Sequence, residues 1–224
     1  MASIEANLQQ VRQRITRCCH DAGRPEQSVT LLAVTKTFGA TKVRQAHAAG
    51  QRDFGENYVQ EALAKIDALA DLRAQLRWHL IGPLQSNKTR VVAEAFDWVH
   101  SVDRLKIAER LSAQRPAGWA PLQVCIELNI SGEASKGGVS MNDLQVLADA
   151  VATLPGLNLR GLMAIPAPTP MLDEQRAAFR QVREAVDALR ARGHMLDTLS
   201  MGMSADLEAA ILEGATIVRV GTAL

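Results

Sequence analysis

Two spacings of apolar residues take turns along the chain. Over residues 3–20 the apolar positions are Ile4, Leu8, Val11, Ile15 and Cys18 or Cys19, a helical spacing with one stripe to bury. Ser3 stands where an N-cap belongs, and Gly23 followed by Pro25 is a stop signal, so an N-terminal helix is expected over about 3–22. Residues 30–35 then form an apolar run of strand length. Thr41 can cap a second helix with Val43, Ala46 and Ala49 that ends at Gly50. The alternation repeats: a short strand at 52–55, a helix at about 58–72 with Val59, Ala62, Ile66 and Leu69 on one face, and a strand at 77–81 closed by Gly82-Pro83. Ser86 opens a helix with Val91, Val92 and Ala95, a strand follows at 98–100, and Asp103 opens a helix with Leu105, Ala108 and Leu111.

Residues 115–121 form a connector, and 122–130 is the longest predicted strand. Ser140-x-x-Asp143 resembles a capping box and starts a helix with Leu144, Leu147, Ala148 and Val151. A strand at 157–163 and a Pro-rich loop at 166–170 lead to a helix with Phe179, Val182, Val186 and Leu189, stopped at Gly193. A strand at 198–200, a helix capped by Ser204 with Leu207, Ala210 and Ile211, and a strand at 216–220 complete the pattern. Eight strands alternating with helices, plus one helix in front, predict an α/β fold with a parallel sheet. In 224 residues this fits one domain over 1–224, a closed (β/α)8 TIM barrel. A doubly wound open sheet is the alternative, and the absence of G-x-G-x-x-G after the first strand lowers it.

Composition narrows the field. Apolar residues make up 47% of the chain, enough for a large core, while the formal net charge is only +1 and aromatic residues are 4%. A general nucleic-acid or membrane-surface binder is therefore not expected. Cys18, Cys19 and Cys125 form neither a disulfide framework nor a C-x-x-C metal pattern, and no two histidines have metal-ligand spacing. With no secretory signal core and no bilayer-length apolar run, a reduced, cytoplasmic protein is expected.

In a barrel of this kind the chemistry sits at the C-terminal ends of the strands. The first strand ends on Lys36, which either points into water as a strand end or is an amine held at the mouth to form a Schiff base. The loops after the last two strands, S-M-G-M-S at 200–204 and R-V-G-T at 219–222, are small-residue turns that can serve as serine-capped turns or as a phosphate site. Arg219 lies inside an Ile/Val strand and needs a partner, for which Glu127 is a candidate, or else a ligand's ring nitrogen or carboxylate. His79 reads as a hydrogen-bonded core histidine. Tyr58, the single tyrosine, can be an acid/base or pack beside a ligand, and Lys136 can reach an anion at the mouth.

V-T-K-T, F-G-E-N-Y-V-Q-E, W-H-L-I-G-P-L-Q-S-N-K, H-S-V-D-R, N-I-S-G-E-A-S-K-G-G, G-L-M-A-I-P, L-S-M-G-M-S-A-D-L-E-A-A-I and V-R-V-G-T-A-L occur in this order. Together they resemble the pyridoxal phosphate homeostasis protein family, the YggS/PROSC type, over nearly the whole chain. The resemblance implies a barrel similar to the N-terminal domain of alanine racemase, carrying pyridoxal 5′-phosphate on Lys36 as a Schiff base. It places Asn57 beside the ring, Ser200, Gly221 and Thr222 at the phosphate with Ser204 nearby, and Arg219 at the pyridine nitrogen. A charged arginine there keeps that nitrogen unprotonated and the ring a weaker electron sink. Family members continue after T-A-[IL] with F-G and a further short helix, so the C-terminal end is expected to be short relative to the family.

The expected function is a pyridoxal phosphate carrier in intracellular vitamin B6 homeostasis, without dedicated turnover, because no second base is evident. The alternatives are an amino-acid racemase using the same cofactor, a class I aldolase with Lys36 attacking a substrate carbonyl, and, ranked last, a pure interaction module. Expected partners are the cofactor itself and, beyond it, cofactor-requiring apo-enzymes or amino acids, with the protein a monomer.

Overall fold

The computed structural model describes residues 3–132 and 137–221. Among them β1 (Thr30–Val34), β2 (Asp53–Glu56), β3 (Arg77–Leu80), β4 (Trp98–Val102), β5 (Leu122–Glu127), β6 (Leu157–Met163), β7 (Thr198–Ser200) and β8 (Ile217–Val220) pair in parallel, each with its sequence neighbour. Thr30 to Ala33 of β1 align with Ile217 to Val220 of β8, which closes the barrel. The helices are α1 (Ile4–Asp21), α2 (Ala40–Ala48), α3 (Val59–Ala68), α4 (Thr89–Ala95), α5 (Leu105–Gln114), α6 (Met141–Ala152), α7 (Leu172–Ala191) and α8 (Leu207–Leu212).

Alternation along each strand sends one set of side chains outward and the other into the lumen. Phe54, Trp78, Val99, Val124, Leu162 and Val218 are fully buried between sheet and helices. That shell is apolar, and its removal from water supplies the main drive to fold. The lumen is different in kind, because Asp53, His79, His100, Ser200 and Arg219 are buried there. α1 reaches both ends of the chain's seam: Arg14 bonds Glu208 of α8, and Arg12 donates to Ala49 O and Gln51 Oε1 beyond α2.

Sequence and structure differ mostly at element ends. Ser3 and Ser140 do cap their helices, accepting from Ala6 N and Asp143 N. Thr41 does not cap, since α2 starts at Ala40 after Gly39. The residues from Ser86 form a 3-10 turn before α4, and α5 follows Arg104, with Asp103 pairing that arginine instead of capping. The helix expected to 72 ends at Ala68 and continues as a 3-10 turn, Ala70–Gln75. β5 stops at Glu127, and Leu128 forms an isolated bridge with Val139. The Ser204 cap is also displaced, as described below.

Candidate functional site

The C-terminal rim of the barrel is built first by the turn after β1. Thr35 N donates to Gly55 O at 2.9 Å, which extends the sheet by one residue, and Phe38 N donates back to Thr35 O at 3.0 Å. Lys36 is exposed at the top of this turn. Thr37 sits at φ 69°, in the left-handed region that L side chains avoid at a cost of roughly 1–2 kcal/mol. What holds it there is a buried cluster on the outer side of the sheet. Lys65 of α3 donates to Thr35 O at 2.6 Å, Glu56 Oε1 at 2.7 Å and Glu61 Oε1 at 2.6 Å, and Glu61 accepts from Thr37 N at 2.6 Å. Thr35 Oγ1 donates to Glu56 as well. Burial pushes the Glu56 carboxyl up, against the hydrogen bonds from Lys65 and Thr35 that pull it down.

Asn57 follows β2, the strand whose Gly55 aligns with Val34, two residues before Lys36. Its Oδ1 is buried without a hydrogen-bond partner among the described residues. Gly82, after β3, packs so tightly here that a Cβ would lie 2.2 Å from Asn57 O. Any side chain at 82 would push the Asn57 backbone away.

Arg219 lies beneath the rim on β8, 4% exposed. It donates to Ser200 O at 2.6 Å, Ser200 Oγ at 2.9 Å and Ala164 O at 2.9 Å. Of the two partners the sequence offered, Glu127 does not bond it among the described residues and acts on Arg219 through space, while backbone and hydroxyl acceptors take its hydrogens. Burial pushes the guanidinium down to about 10, with Asp206, Glu127 and Cys125 working the other way, so it stays charged at neutral pH. His79 is the hydrogen-bonded core histidine the alternation implies. Its Nε2 is 3.1 Å from Asp53 Oδ1, its Nδ1 is 3.0 Å from His100 Nε2, and His100 Nδ1 is 2.7 Å from Ser200 Oγ.

The loop after β7 turns at Gly202, whose φ of 94° only glycine adopts freely and where a Cβ would meet Ala210 Cβ at 2.5 Å. Met203 N donates to Asp206 Oδ1 at 2.5 Å, and α8 begins after Asp206. Ser204 thus lies in the turn ahead of the helix and does not cap it, because Asp206 occupies the cap position. Ser204 O accepts from Arg14 at 3.2 Å. Gly221 follows β8, beside Val34. Thr222 and Lys136 lie outside the described residues. Tyr58 is 60% exposed at the N-cap of α3. Ser200 is fully buried, with its hydroxyl shared between Arg219 and His100.

Lys36 after β1, Asn57 after β2, Arg219 on β8 and Gly221 after it thus come from three neighbouring strands and their C-terminal ends, with Ser204 on the loop after β7. Lys65 and Asp53 were not singled out from the sequence, whereas His100 was, as a residue at the end of the fourth strand. Lys65 shares the buried face of α3 with Ala62, a position that charge alone would assign to solvent. The one signal for Asp53 is its place in a strand beside the one that carries His79, where a buried ionisable group requires a partner.

The chain matches the family described as "Alanine racemase, N-terminal domain" over residues 1–224. It is 61% identical over 224 residues to the pyridoxal phosphate homeostasis protein of Pseudomonas aeruginosa, covering 100% of this chain and 95% of that one. The solved structure of PipY from Synechococcus elongatus with pyridoxal phosphate bound superposes with a TM-score of 0.86, at 39% identity over 99% of both chains. Alanine racemase from Corynebacterium glutamicum, at 20% identity and a TM-score of 0.68 over 95% of this chain and 59% of that one, shares the barrel fold. The chain belongs to the alanine racemase N-terminal domain family and, within it, to the pyridoxal phosphate homeostasis proteins.

Proposed function

We propose that this chain binds pyridoxal 5′-phosphate through Lys36 and serves vitamin B6 homeostasis in the cytoplasm. The observation that carries this is the pairing of an exposed amine, Lys36, with a buried and charged Arg219 on adjoining strands of a barrel whose relative PipY holds that cofactor. The residues present fit the group. Asn57 Oδ1, just after β2, is a buried acceptor with no partner among the described residues, and a ring hydroxyl would satisfy it.

When bound, the cofactor supplies an aldehyde carbon that condenses with an amine and an aromatic ring that withdraws electrons. Lys36 supplies the amine. Its turn is anchored from below by Lys65, Glu56 and Glu61, so the lysine backbone is fixed while its side chain stays accessible. Arg219 presents a fixed positive charge to the ring nitrogen and gives no proton away, which limits electron withdrawal. Gly221 and Ser204 would hold the phosphate, and the family resemblance adds Thr222 to them. Turnover is not part of the proposal, since the single tyrosine, Tyr58, is 60% exposed at the rim.

The test is a visible spectrum of the purified chain after incubation with pyridoxal phosphate, followed by borohydride reduction and peptide mapping. A visible band lost in Lys36→Ala and a pyridoxyl group on Lys36 are expected. A colourless protein that takes up no cofactor, or an adduct confined to another lysine, overturns the reading. Incubation with amino acids in heavy water separates a racemase, which would exchange the α-hydrogen.

A further inference from the structure

Four polar side chains join Arg219 to the opposite mouth of the barrel. The path runs from Arg219 to Ser200 Oγ at 2.9 Å, to His100 at 2.7 Å, to His79 at 3.0 Å and to Asp53 Oδ1 at 3.1 Å. His100 is on β4 and Ser200 on β7, so this link crosses the lumen. Asp53 also accepts from Arg77 at 2.7 Å, and both border a cavity of about 350 Å³ at the N-terminal mouth. Trp98 stacks on His79 at 5.4 Å and carries Arg160 at 5.0 Å on its ring, while Arg160 pairs with Asp197. No metal or ligand role is needed to account for the two histidines, because each ring nitrogen already has a partner.

The ends decide where the hydrogens lie. A guanidinium only donates, and a carboxylate only accepts. Asp53 accepts a proton from His79 Nε2, so the other nitrogen of a neutral His79 accepts, and the order passes up the path until Ser200, while accepting from Arg219, gives its own proton to His100 Nδ1. His100 is then protonated at Nε2 and donates to His79 Nδ1, and His79, likewise protonated at Nε2, donates to Asp53. We propose that Ser200, His100, His79 and Asp53 are positioning residues for Arg219, forming a one-way hydrogen-bond chain that anchors its guanidinium to a carboxylate at the far mouth of the barrel. The Ser200 hydroxyl is consumed by this chain, so it serves the cofactor through Arg219 and not as a phosphate donor. Five buried groups are satisfied together, and replacing any one disturbs the rest.

That functional consequence rests on the reading of Lys36 and Arg219 as the cofactor site, but the chain itself is measurable without cofactor. Replacing His20, His47 and His194 by Gln leaves two rings in the ¹⁵N spectrum of the cofactor-free protein. At pH 7 both rings are expected neutral and protonated at Nε2. Either ring protonated at Nδ1, or at both nitrogens, overturns the proposal.

Asp53→Asn adds a second arm. The amide oxygen is claimed by Arg77, so its NH2 faces His79 and both histidines are expected to switch to Nδ1–H together. A switch in one ring alone, or in neither, overturns the chain, and the wild-type spectrum stands as a test even if this variant does not fold. Ser200→Ala is expected to lose the single tautomer at His100 and to bind pyridoxal phosphate about tenfold more weakly, with Ser200→Thr restoring both. Unchanged binding in Ser200→Ala removes the positioning role. Correct tautomers in a protein that binds no cofactor would refute the proposed function and leave the chain standing.

Discussion

Lys65 holds the Lys36 turn from beneath. Its ammonium is almost fully buried and serves two carboxylates and a carbonyl. Lys65→Met would leave Glu56 buried beside Thr35 without its cation, and removing one partner of such a pair costs about 3–5 kcal/mol. Chemical denaturation of Lys65→Met should show that loss, and the double variant Lys65→Met, Glu56→Leu should recover part of it. A double-variant loss equal to the sum of the single losses would mean the two groups are independent. Lys36 and Arg219 were legible because a charge in an apolar run is conspicuous. Lys65 was not, because a lysine at helical spacing reads as a solvated face until the strand carboxylate beneath it is known.

At the scale of the element, the strand-to-helix loops carry the site and are where the sequence was least reliable. All eight strands were legible from alternation, yet Ser204 was assigned a cap that Asp206 occupies. Either residue type suits an N-cap, and choosing between them requires the turn at Gly202. The loops after β2 and β3 act as one unit because Gly82 presses on the Asn57 carbonyl. Gly82→Ala forces backbone against backbone, and a loss of about 1–3 kcal/mol is expected from such overpacking. Displacement of Asn57 should also weaken cofactor uptake, measured by titrating the visible band. Normal uptake in a destabilised Gly82→Ala would show that Asn57 makes no contribution to binding.

Taken as a whole, the molecule buries ionisable groups in its lumen, and this makes its stability depend on pH. Burial holds His79 below its ordinary value, though Asp53 pulls the other way, and holds His100 well below, with His79 and Arg219 adding to the effect. The folded state therefore refuses protons that the unfolded histidines accept near pH 6.5. Stability is fully present above that value and falls as pH drops, by up to about 1.4 kcal/mol per pH unit for each ring. Asp53 behaves similarly at lower pH: burial pushes its carboxyl up, but hydrogen bonds from His79 and Arg77 prevail and hold it below the usual range. Its contribution is lost only once pH falls below about 3.9. Denaturation midpoints should fall between pH 7 and pH 5.5 in wild type, with a shallower slope in His100→Gln. A flat profile over that range would contradict the neutral burial of the pair.

In barrels of this class the N-terminal mouth usually answers to stability and the C-terminal mouth to chemistry. The hydrogen-bond path from Asp53 to Arg219 removes that division of labour. Substitution at 53, on the face remote from Lys36, is then constrained by what stands at 219. A descendant that exchanged the aspartate for a donor would reverse every bond up to Ser200 and leave that hydroxyl proton in need of a new acceptor beside the arginine, so the surroundings of 53 and 219 would drift through evolution together.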